Sequence, residues 1–352
     1  MPRIVACQSA LPPHYYSQEE LLGAVVGFCA RQGRTWDAEQ ARRFFGAVKV
    51  GGRHLALPLQ RYAELAGLED RNSAWISSAI ELGERAVRDC LAQGDLPPTE
   101  VQLFASSTVT GIAVPSLEAR LMNRLEFAPD CRRLPLFGLG CAAGAAGIAR
   151  VAEYLEGHPR HAALFLCVEL CSLTFRTDDF SVANLIATGL FGDGAVAVLI
   201  VGDEHPLAFR SGVRVADSRS VLFRDTERVM GWDVVDSGFR IVLSERVPEL
   251  ARAALGSAVR EFLGRHGLSS REIERWIAHP GGPAVIDAME EGLELSPGAL
   301  DESRACLERL GNLSSASVLV LLEQALARPW SGPGLLLAMG PGFGAELVLL
   351  EC

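Results

Sequence analysis

The segment that decides the fold is Leu134–Arg150, LPLFGLGCAAGAAGIAR, in which an apolar run ends at Cys141 and a Gly/Ala-rich run begins. This order predicts a strand, a tight turn and a helix. The sulfur of Cys141 would then lie at the start of a helix, where unpaired backbone N–H groups favour negative charge. Such a thiol can ionise near neutral pH and act as a nucleophile, and the small neighbouring residues leave room for a bulky substrate. A buried structural cysteine in a tight turn is the alternative.

The composition indicates a globular protein that does not bind nucleic acid non-specifically. The chain has 352 residues, of which 49% are hydrophobic and 22% charged, and its formal net charge is −10. An acidic chain is a poor partner for phosphate backbones. No apolar run is long enough to span a bilayer, and the N-terminus lacks a signal-peptide pattern. The nine scattered cysteines predict a reducing cytoplasmic location, with neither a disulfide framework nor a metal site.

Outward from Cys141, the chain from Val101 onward alternates strands with helices, which predicts a layered α/β sheet. The second half repeats the strand–turn–helix order weakly, with Asn312 in the place of Cys141, and this favours an internal duplication. We therefore predict one two-lobed unit with halves 1–205 and 206–352. Before Val101 the pattern predicts helices over Glu19–Cys29, Asp37–Phe45 and Ser73–Gln93, a strand over Ile4–Gln8 and an irregular stretch over Lys49–Leu57.

Two further polar residues lie where apolar segments meet turns. His279 ends the apolar run of RWIAHPGG, at the kind of strand end where α/β sheets place their sites. Asn312 lies in LERLGNLSSAS, a turn that opens onto a Ser/Ala-rich helix. A satisfied core histidine and an ordinary helix N-cap are the alternatives for these two residues.

Together, Cys141, His279 and Asn312 suit acyl transfer through a thioester. A cysteine thiolate, kept charged by a protonated histidine, would attack the acyl carbonyl. Histidine and asparagine could then donate hydrogen bonds to the enolate that forms when a malonyl unit loses CO₂. A cysteine protease would use the same residue types, but it usually places its cysteine early in the mature chain.

These segments resemble the type III polyketide synthases, the chalcone synthase-like branch of the thiolase superfamily. The resemblance runs from roughly Val50 to Leu350 and is carried by LFGLGCAAGAAG, CVELCSLTFR, GLFGDGAVAVLIVG, WIAHPGGPA, LGNLSSASVL and GPGFGAELVLL. It implies an α/β protein with the duplicated, five-layered αβαβα thiolase fold. It also implies that Cys141 carries the acyl chain, while His279 and Asn312 bind and decarboxylate malonyl-CoA in an iterative Claisen condensation.

The resemblance further implies a set of cavity residues that govern the product. Phe191 matches a gatekeeper between the CoA tunnel and the cavity, and Ile241 stands where plant chalcone synthases have phenylalanine. The stretch around Cys171 is similar to bacterial members that make alkylpyrones or alkylresorcinols from fatty acyl-CoA, and a small side chain there could open an alkyl tunnel. The whole implied set is Phe191, Val109, Val114, Cys171, Thr174, Trp232, Ile241, Ser314, Gly340, Pro341 and Gly342.

For partners, the resemblance implies malonyl-CoA and an acyl-CoA as substrates, no separate cofactor, and a homodimer in which Gly111–Pro115 reaches toward the partner's cavity. The CoA phosphates would be bound by basic residues and by backbone from the set Arg43, Lys49, Arg53 and Ala284. The alternatives are a synthase that uses only malonyl-CoA or an aryl starter, a β-ketoacyl-acyl-carrier-protein synthase III-like initiation enzyme, and a catalytically silent thiolase-fold protein that binds lipids or serves as a scaffold.

Overall fold

The helices and strands fall in both halves of the chain. The computed structural model describes residues 1–31, 33, 37–176, 178–210 and 212–352. The helices are α1 (Gln18–Arg31), α2 (Ala38–Ala47), α3 (Leu68–Gly94), α4 (Leu117–Met122), α5 (Ala143–Glu156), α6 (Val182–Leu190), α7 (Val247–Arg265), α8 (Pro283–Gly292), α9 (Asp301–Leu310) and α10 (Ser315–Leu326). The strands are β1 (Arg3–Ala10), β2 (His14–Ser17), β3 (Gly52–Leu55), β4 (Leu103–Thr108), β5 (Arg132–Phe137), β6 (Ala162–Leu170), β7 (Asp193–Val201), β8 (Val213–Leu222), β9 (Met230–Val235), β10 (Gly238–Leu243), β11 (Arg275–Ala278), β12 (Gly334–Gly340) and β13 (Gly344–Glu351).

A mixed sheet joins the two halves. Within the described residues, nine strands form this sheet in the order β11-β12-β13-β8-β1-β7-β6-β4-β5. Strands β6 and β7 are buried along their whole length, which fits their nearly continuous apolar sequences. Strands β1 and β8 meet at the junction of the halves through only two residue pairs, Arg3 with Arg214 and Ile4 with Val213. The sheet is therefore continuous, but the pairing that joins its two parts is short.

Helices α5 and α10 lie between the two halves of the sheet. On β6, Leu164 and Leu166 pack toward α3, whereas Phe165 on the opposite face packs toward α5 and α10. On β12, Leu336 packs toward α5 and α10, whereas Leu337 packs toward α7 and α8. Because both halves turn one face to the same helix pair, the layers are helix, sheet, helix, sheet, helix. The predicted five-layered thiolase fold is confirmed.

Two segments differ from the sequence-based predictions. The predicted irregular stretch Lys49–Leu57 contains β3, because residues distant in sequence supply its partner, β2. The segment before Asn312, matched to a strand in the predicted repeat, is helix α9. Its buried residues Ser303, Cys306, Leu307 and Leu310 follow the helical spacing. Among the described residues, no helix has the length and apolar character that crossing a membrane requires.

Candidate active site

Cys141 lies in a short turn between β5 and α5, as the sequence predicts. One turn of 3₁₀-helix, Gly140–Ala142, carries it into α5. The preceding Gly138 and Gly140 have φ angles of 87° and 48°, a region that favours glycine. A Cβ atom at Gly140 would lie 2.5 Å from Cδ of Pro341, so the glycine also lets the loop after β12 approach. This loop fixes the backbone that presents the sulfur.

His279 directly follows β11, and its backbone N–H donates to the carbonyl of Leu337 at 2.9 Å. Its side chain is 4% exposed. Neither ring nitrogen has a hydrogen-bond partner among the described residues. Buried polar atoms are nearly always paired, so this imidazole retains hydrogen-bonding capacity for a ligand.

Asn312 lies in the turn between α9 and α10, and its amide is oriented by its neighbours. The backbone N–H of Ser314 donates to Oδ1 at 2.8 Å, while Nδ2 donates to the carbonyl of Gly281 at 3.2 Å. Gly311 before it has a φ of 70°, and a Cβ there would lie 2.7 Å from the carbonyl of Leu190. The other Nδ2 hydrogen is left for Cys141 or for a substrate oxygen.

These three residues line one cavity of about 410 Å³, a size suited to a small-molecule substrate. The hairpin β9–β10, which the sequence did not predict, supplies the wall with Trp232 and Ile241. The other predicted cavity residues that line it are Val109, Cys171, Phe191, Ser314 and Pro341.

Four predicted cavity residues lie elsewhere. Thr174 lines a second cavity. Val114 is 88% exposed, because its loop projects from the surface of the chain. Gly340 is packed beneath the Cys141 turn, where a Cβ would meet the carbonyl of Leu139 at 2.4 Å. Gly342 is not among the residues that line the catalytic cavity, and its carbonyl accepts a hydrogen bond from Thr226 Oγ1 at 2.9 Å.

The second cavity, of about 320 Å³, adjoins the first. The two share four lining side chains, Cys171, Phe191, Trp232 and Ile241. Helix α1 provides an apolar wall with Leu21, Ala24 and Phe28, and Tyr62 and Ser172 add hydroxyl groups. Sequence analysis anticipated a tunnel at Cys171 but not the contribution of α1, because the apolar residues of α1 also suit an ordinary core face.

Three of the residues predicted to bind CoA lie at the catalytic cavity or next to a residue that lines it, whereas the fourth is buried. Ala284 lines the catalytic cavity at the start of α8, and the exposed Lys49 follows the cavity residue Val48. Arg43 is also exposed, with its guanidinium 5.5 Å from the ring centroid of Phe44, another cavity residue. Arg53, in contrast, is 2% exposed and donates to backbone carbonyls, so it is not available to a CoA phosphate.

Burial controls the charges in the site. It raises the pKa of Cys141 to about 12, although hydrogen bonds from Ser314 and Asn312 lower it in part. The Cys141 sulfur lies 3.7 Å from Oγ of Ser314. Burial also lowers the pKa of His279 to about 3. Burial therefore favours the neutral form of both groups and opposes the predicted pairing of a thiolate with a protonated histidine.

Glu169 is a buried carboxyl beside the site that sequence analysis missed. It accepts hydrogen bonds from Ser315 Oγ at 2.6 Å, from Thr110 Oγ1 at 2.9 Å and from the Val109 N–H at 3.1 Å. Burial raises its pKa to about 7, and these hydrogen bonds oppose part of that rise. A glutamate within an apolar run, CVELC, is the sequence signal that could have drawn attention to it.

Comparison with known proteins matches both halves of the chain to one family. The family model for the N-terminal domain of chalcone and stilbene synthases matches residues 55–204, and the model for their C-terminal domain matches residues 215–352. A 1,3,6,8-tetrahydroxynaphthalene synthase from Streptomyces peucetius subsp. caesius is 44% identical over 351 residues, covering 99% of this chain and 92% of the relative. A putative chalcone synthase from Bacillus subtilis (strain 168) is 36% identical, covering 99% of this chain and 98% of the relative.

A solved structure agrees with these matches. The crystal structure of the 1,3,6,8-tetrahydroxynaphthalene synthase from Streptomyces coelicolor A3(2), a bacterial type III polyketide synthase, has a TM-score of 0.92 to this chain. The two are 32% identical, and the alignment covers 99% of both chains.

Proposed function

Because this chain belongs to the chalcone and stilbene synthase family and is a type III polyketide synthase, we propose that Cys141 carries the acyl chain and that malonyl-CoA supplies its units. The observation that carries this proposal is the meeting of Cys141, His279 and Asn312 in one cavity. A nucleophile and two hydrogen-bond donors around one space are the groups that a decarboxylative condensation requires.

Loading of Cys141 starts from a neutral thiol and a neutral imidazole. As a thioester carbonyl approaches, His279 accepts the thiol proton while the sulfur bonds to the carbonyl carbon. The bond to CoA sulfur then breaks, and the departing CoA thiolate takes the proton from His279. The imidazole is neutral again and has one N–H group to donate.

Decarboxylation uses the same imidazole and the amide of Asn312. The bond between the malonyl carbon and its carboxylate breaks, and the electron pair forms an enolate whose oxygen accepts hydrogen bonds from His279 and Asn312 Nδ2. The enolate carbon attacks the thioester on Cys141 and releases the cysteine sulfur as a thiolate, which takes a proton from solvent before the next loading step. The chain, two carbons longer, is then on CoA and returns to Cys141 for the next round. No carboxylate base is needed, because loss of CO₂ replaces proton removal.

Malonyl-CoA is also the proposed starter. The Streptomyces peucetius relative is named for 1,3,6,8-tetrahydroxynaphthalene. A naphthalene skeleton with oxygen on alternate carbons is assembled from two-carbon units alone, which leaves no carbon for an alkyl or aryl starter. A fused aromatic product of this class also suits the cavity walls formed by Phe191, Trp232 and Ile241.

A fatty acyl-CoA starter, with an alkylpyrone or alkylresorcinol product, is the second candidate. The specific observation in its favour is the second cavity, which adjoins the catalytic one at Cys171 and has an apolar wall from α1. An alkyl chain held there would bury its methylene groups away from water.

The test is product analysis by mass spectrometry with malonyl-CoA alone and with malonyl-CoA plus acyl-CoA of graded length. We expect an aromatic product from malonyl-CoA alone, and Cys141→Ala should abolish it while CO₂ release continues. Product formation that requires an added acyl-CoA would contradict malonyl priming. Full synthase activity in Cys141→Ala would contradict the role of Cys141.

A variant that fills the second cavity distinguishes between malonyl-CoA and a long acyl-CoA as the starter. Gly23 on α1 lines that cavity, and its Cβ position has no neighbour within 4 Å. Gly23→Phe should leave the malonyl-only product unchanged and suppress any product made from a long acyl-CoA. Gly264→Phe is the matched control, because this helical glycine on α7 also has open space. If Gly23→Phe lost both products equally while Gly264→Phe lost neither, malonyl-derived chains would also need this cavity.

The proposal includes a homodimer that uses the edge of the sheet at β5. Phe137 on this edge strand is 60% exposed and pairs in register with Thr108 of β4. The loop that follows β4 carries the exposed Ile112 and Val114. Exposed apolar side chains beside an unpaired strand edge are typical of a subunit interface. A second copy seated there would cover Val114, in line with the predicted reach of this loop toward the partner.

A further inference from the structure

Arg53 on β3 is a buried cation that the catalytic scheme does not use. Its Nη1 donates to the carbonyl of Gly189 and to Gln18 Oε1, and its Nη2 donates to the carbonyl of Thr188. Burial lowers its pKa to about 10, so the guanidinium remains charged at neutral pH. A charge at this depth is costly unless it is well paired, which directs attention to what it holds.

The carbonyls that Arg53 binds belong to the last turn of α6. A helix C-terminus has unpaired carbonyls and a partial negative charge, so a cation there is favourable. Gln18 adds a second contact, because its Nε2 donates to the carbonyl of Gly189 at 2.8 Å and to that of Phe45 at 3.2 Å. The end of α6 is therefore held from two sides.

The end of α6 in turn holds Asn312. The helix ends at Leu190, and Phe191 follows it into the cavity wall. The N–H of Asn312 donates to the carbonyl of Leu190 at 2.9 Å, and the N–H of Gly192 donates to the carbonyl of Asn312 at 3.0 Å. The peptide units on both sides of Phe191 thus fix the backbone of Asn312.

The aliphatic part of Arg53 packs against the same two segments. A Cβ atom at Gly192 would lie 3.3 Å from Cβ of Arg53, and one at Gly311 would lie 3.5 Å from its Cδ. These glycines are the residues that follow Phe191 and precede Asn312. The Arg53 stem therefore occupies the space beside both glycines, while its guanidinium is hydrogen-bonded to the end of α6.

We propose that Arg53 is a positioning residue for malonyl-CoA decarboxylation, because it locks the end of α6 and thereby the amide of Asn312. This inference rests on the proposed function. It gives Arg53 a role inside the protein in place of the CoA contact predicted from the sequence. Cys141 depends on a different support, the β5–α5 turn and the loop after β12, so loss of Arg53 should affect decarboxylation more than the reactivity of the thiol.

The test measures the two steps separately. CO₂ release from malonyl-CoA is measured in the Cys141→Ala background, with and without Arg53→Met. Alkylation of Cys141 by iodoacetamide is measured in the otherwise intact protein, with peptide mapping to distinguish it from the exposed Cys352. We expect Arg53→Met to slow decarboxylation by about 10- to 100-fold, the effect of displacing a catalytic group by an ångström or less. Alkylation should change less than about twofold.

Arg53→Lys should recover part of the decarboxylation rate, because lysine keeps the charge but lacks the fork that reaches two carbonyls. Gln18→Met keeps Arg53 and should cause a smaller loss of decarboxylation, again with little change in alkylation. This variant replaces Arg53→Met in the test if Arg53→Met does not fold. Arg71→Met is the matched control, since this buried arginine donates to the carbonyl of Leu65 at 3.1 Å. It should leave the ratio of the two rates unchanged.

Equal loss of decarboxylation and alkylation in Arg53→Met, or no loss of either, would overturn the inference. The inference would also be overturned if Arg71→Met changed the ratio of decarboxylation to alkylation as much as Arg53→Met does. Loss of any buried arginine would then have the same effect, and the position of Arg53 would not matter. Absence of CO₂ release in the Cys141→Ala parent, with Arg53 intact, would instead contradict the proposed function and remove the basis of the inference with it.

Discussion

At Cys141, the cost of burying a charged sulfur outweighs the stabilisation that the start of a helix gives to a negative charge. A charge near a helix N-terminus gains about 0.3–1 kcal/mol, whereas removing a charge from water costs several kcal/mol. The same comparison explains the neutral imidazole of His279, whose ring nitrogens have no partner among the described residues. Burial therefore opposes a charged pair of these two residues, and the proposed mechanism forms that pair only as His279 accepts the thiol proton.

Glu169 gives a pH-dependent prediction. Its pKa is about 7 in the folded protein against an ordinary 4.5, so the folded state keeps a proton that the unfolded state releases between these values. The Glu169 contribution to the free energy of unfolding should therefore fall as pH rises from 4.5 to 7, whereas the lowered pKa of His279 contributes a rise below pH 6.5 in both the parent and the Glu169 variant. Glu169→Gln should remove roughly 1–3 kcal/mol of this decline, as measured by denaturant unfolding at a series of pH values.

Asp193 provides the control for this experiment. Burial raises its pKa from 3.8 to about 6, so it contributes a decline of the same sign at lower pH. That part should persist in Glu169→Gln. An unchanged slope between pH 6 and 7 in the variant would contradict the assignment to Glu169.

At the scale of elements, the contact between α5 and α10 depends on Gly144. A Cβ there would lie 2.3 Å from the carbonyl of Ser315 and 2.5 Å from Cγ1 of Val318. Gly144→Ala should force the helices apart and lower the free energy of unfolding by about 1–3 kcal/mol. Because Cys141 precedes α5 and Ser314 precedes α10, the same change should reduce synthase activity.

Gly157→Ala is the matched control for Gly144→Ala. Gly157 lies at the other end of α5, and its added Cβ would make only an ordinary contact, 3.6 Å from the carbonyl of Tyr154. Thermal unfolding should shift little for Gly157→Ala and markedly for Gly144→Ala. Equal shifts would mean that close helix packing is not what requires Gly144.

The sequence predicted the elements whose signals are local. Helix α5 and the turn at Cys141 follow from a small-residue run and flanking glycines, and the end of β11 follows from the prolines after His279. Strand β3 and the hairpin β9–β10 escaped prediction because their stability depends on pairing partners and on the cavity they cover. Arg53 was misjudged because an arginine is usually exposed, and only the fold brings the end of α6 to it.

At the scale of the whole molecule, the exposed edge at β5 predicts the oligomeric state. Phe137→Asp should convert a dimer to a monomer in size-exclusion chromatography with light scattering, because an interface charge would lose its water. Phe209→Asp is the matched control, since Phe209 is 81% exposed and lies in the 3₁₀ turn after β7, which β6 and β4 separate from β5. A dimer that survives Phe137→Asp would contradict the proposed interface.

The shared middle layer also affects how the protein is made. Helix α5 leaves the ribosome long before α10, and its residues Ala145, Ile148 and Ala149 are fully buried only in the finished core that both helices share. Until Ser315–Leu326 and the last two strands have been synthesised, the part of that surface which faces them is uncovered and open to aggregation, although β4 and β6 already cover the rest. Loss of a short stretch from the C-terminus should therefore leave part of the α5 surface exposed and favour aggregation far more than its length suggests.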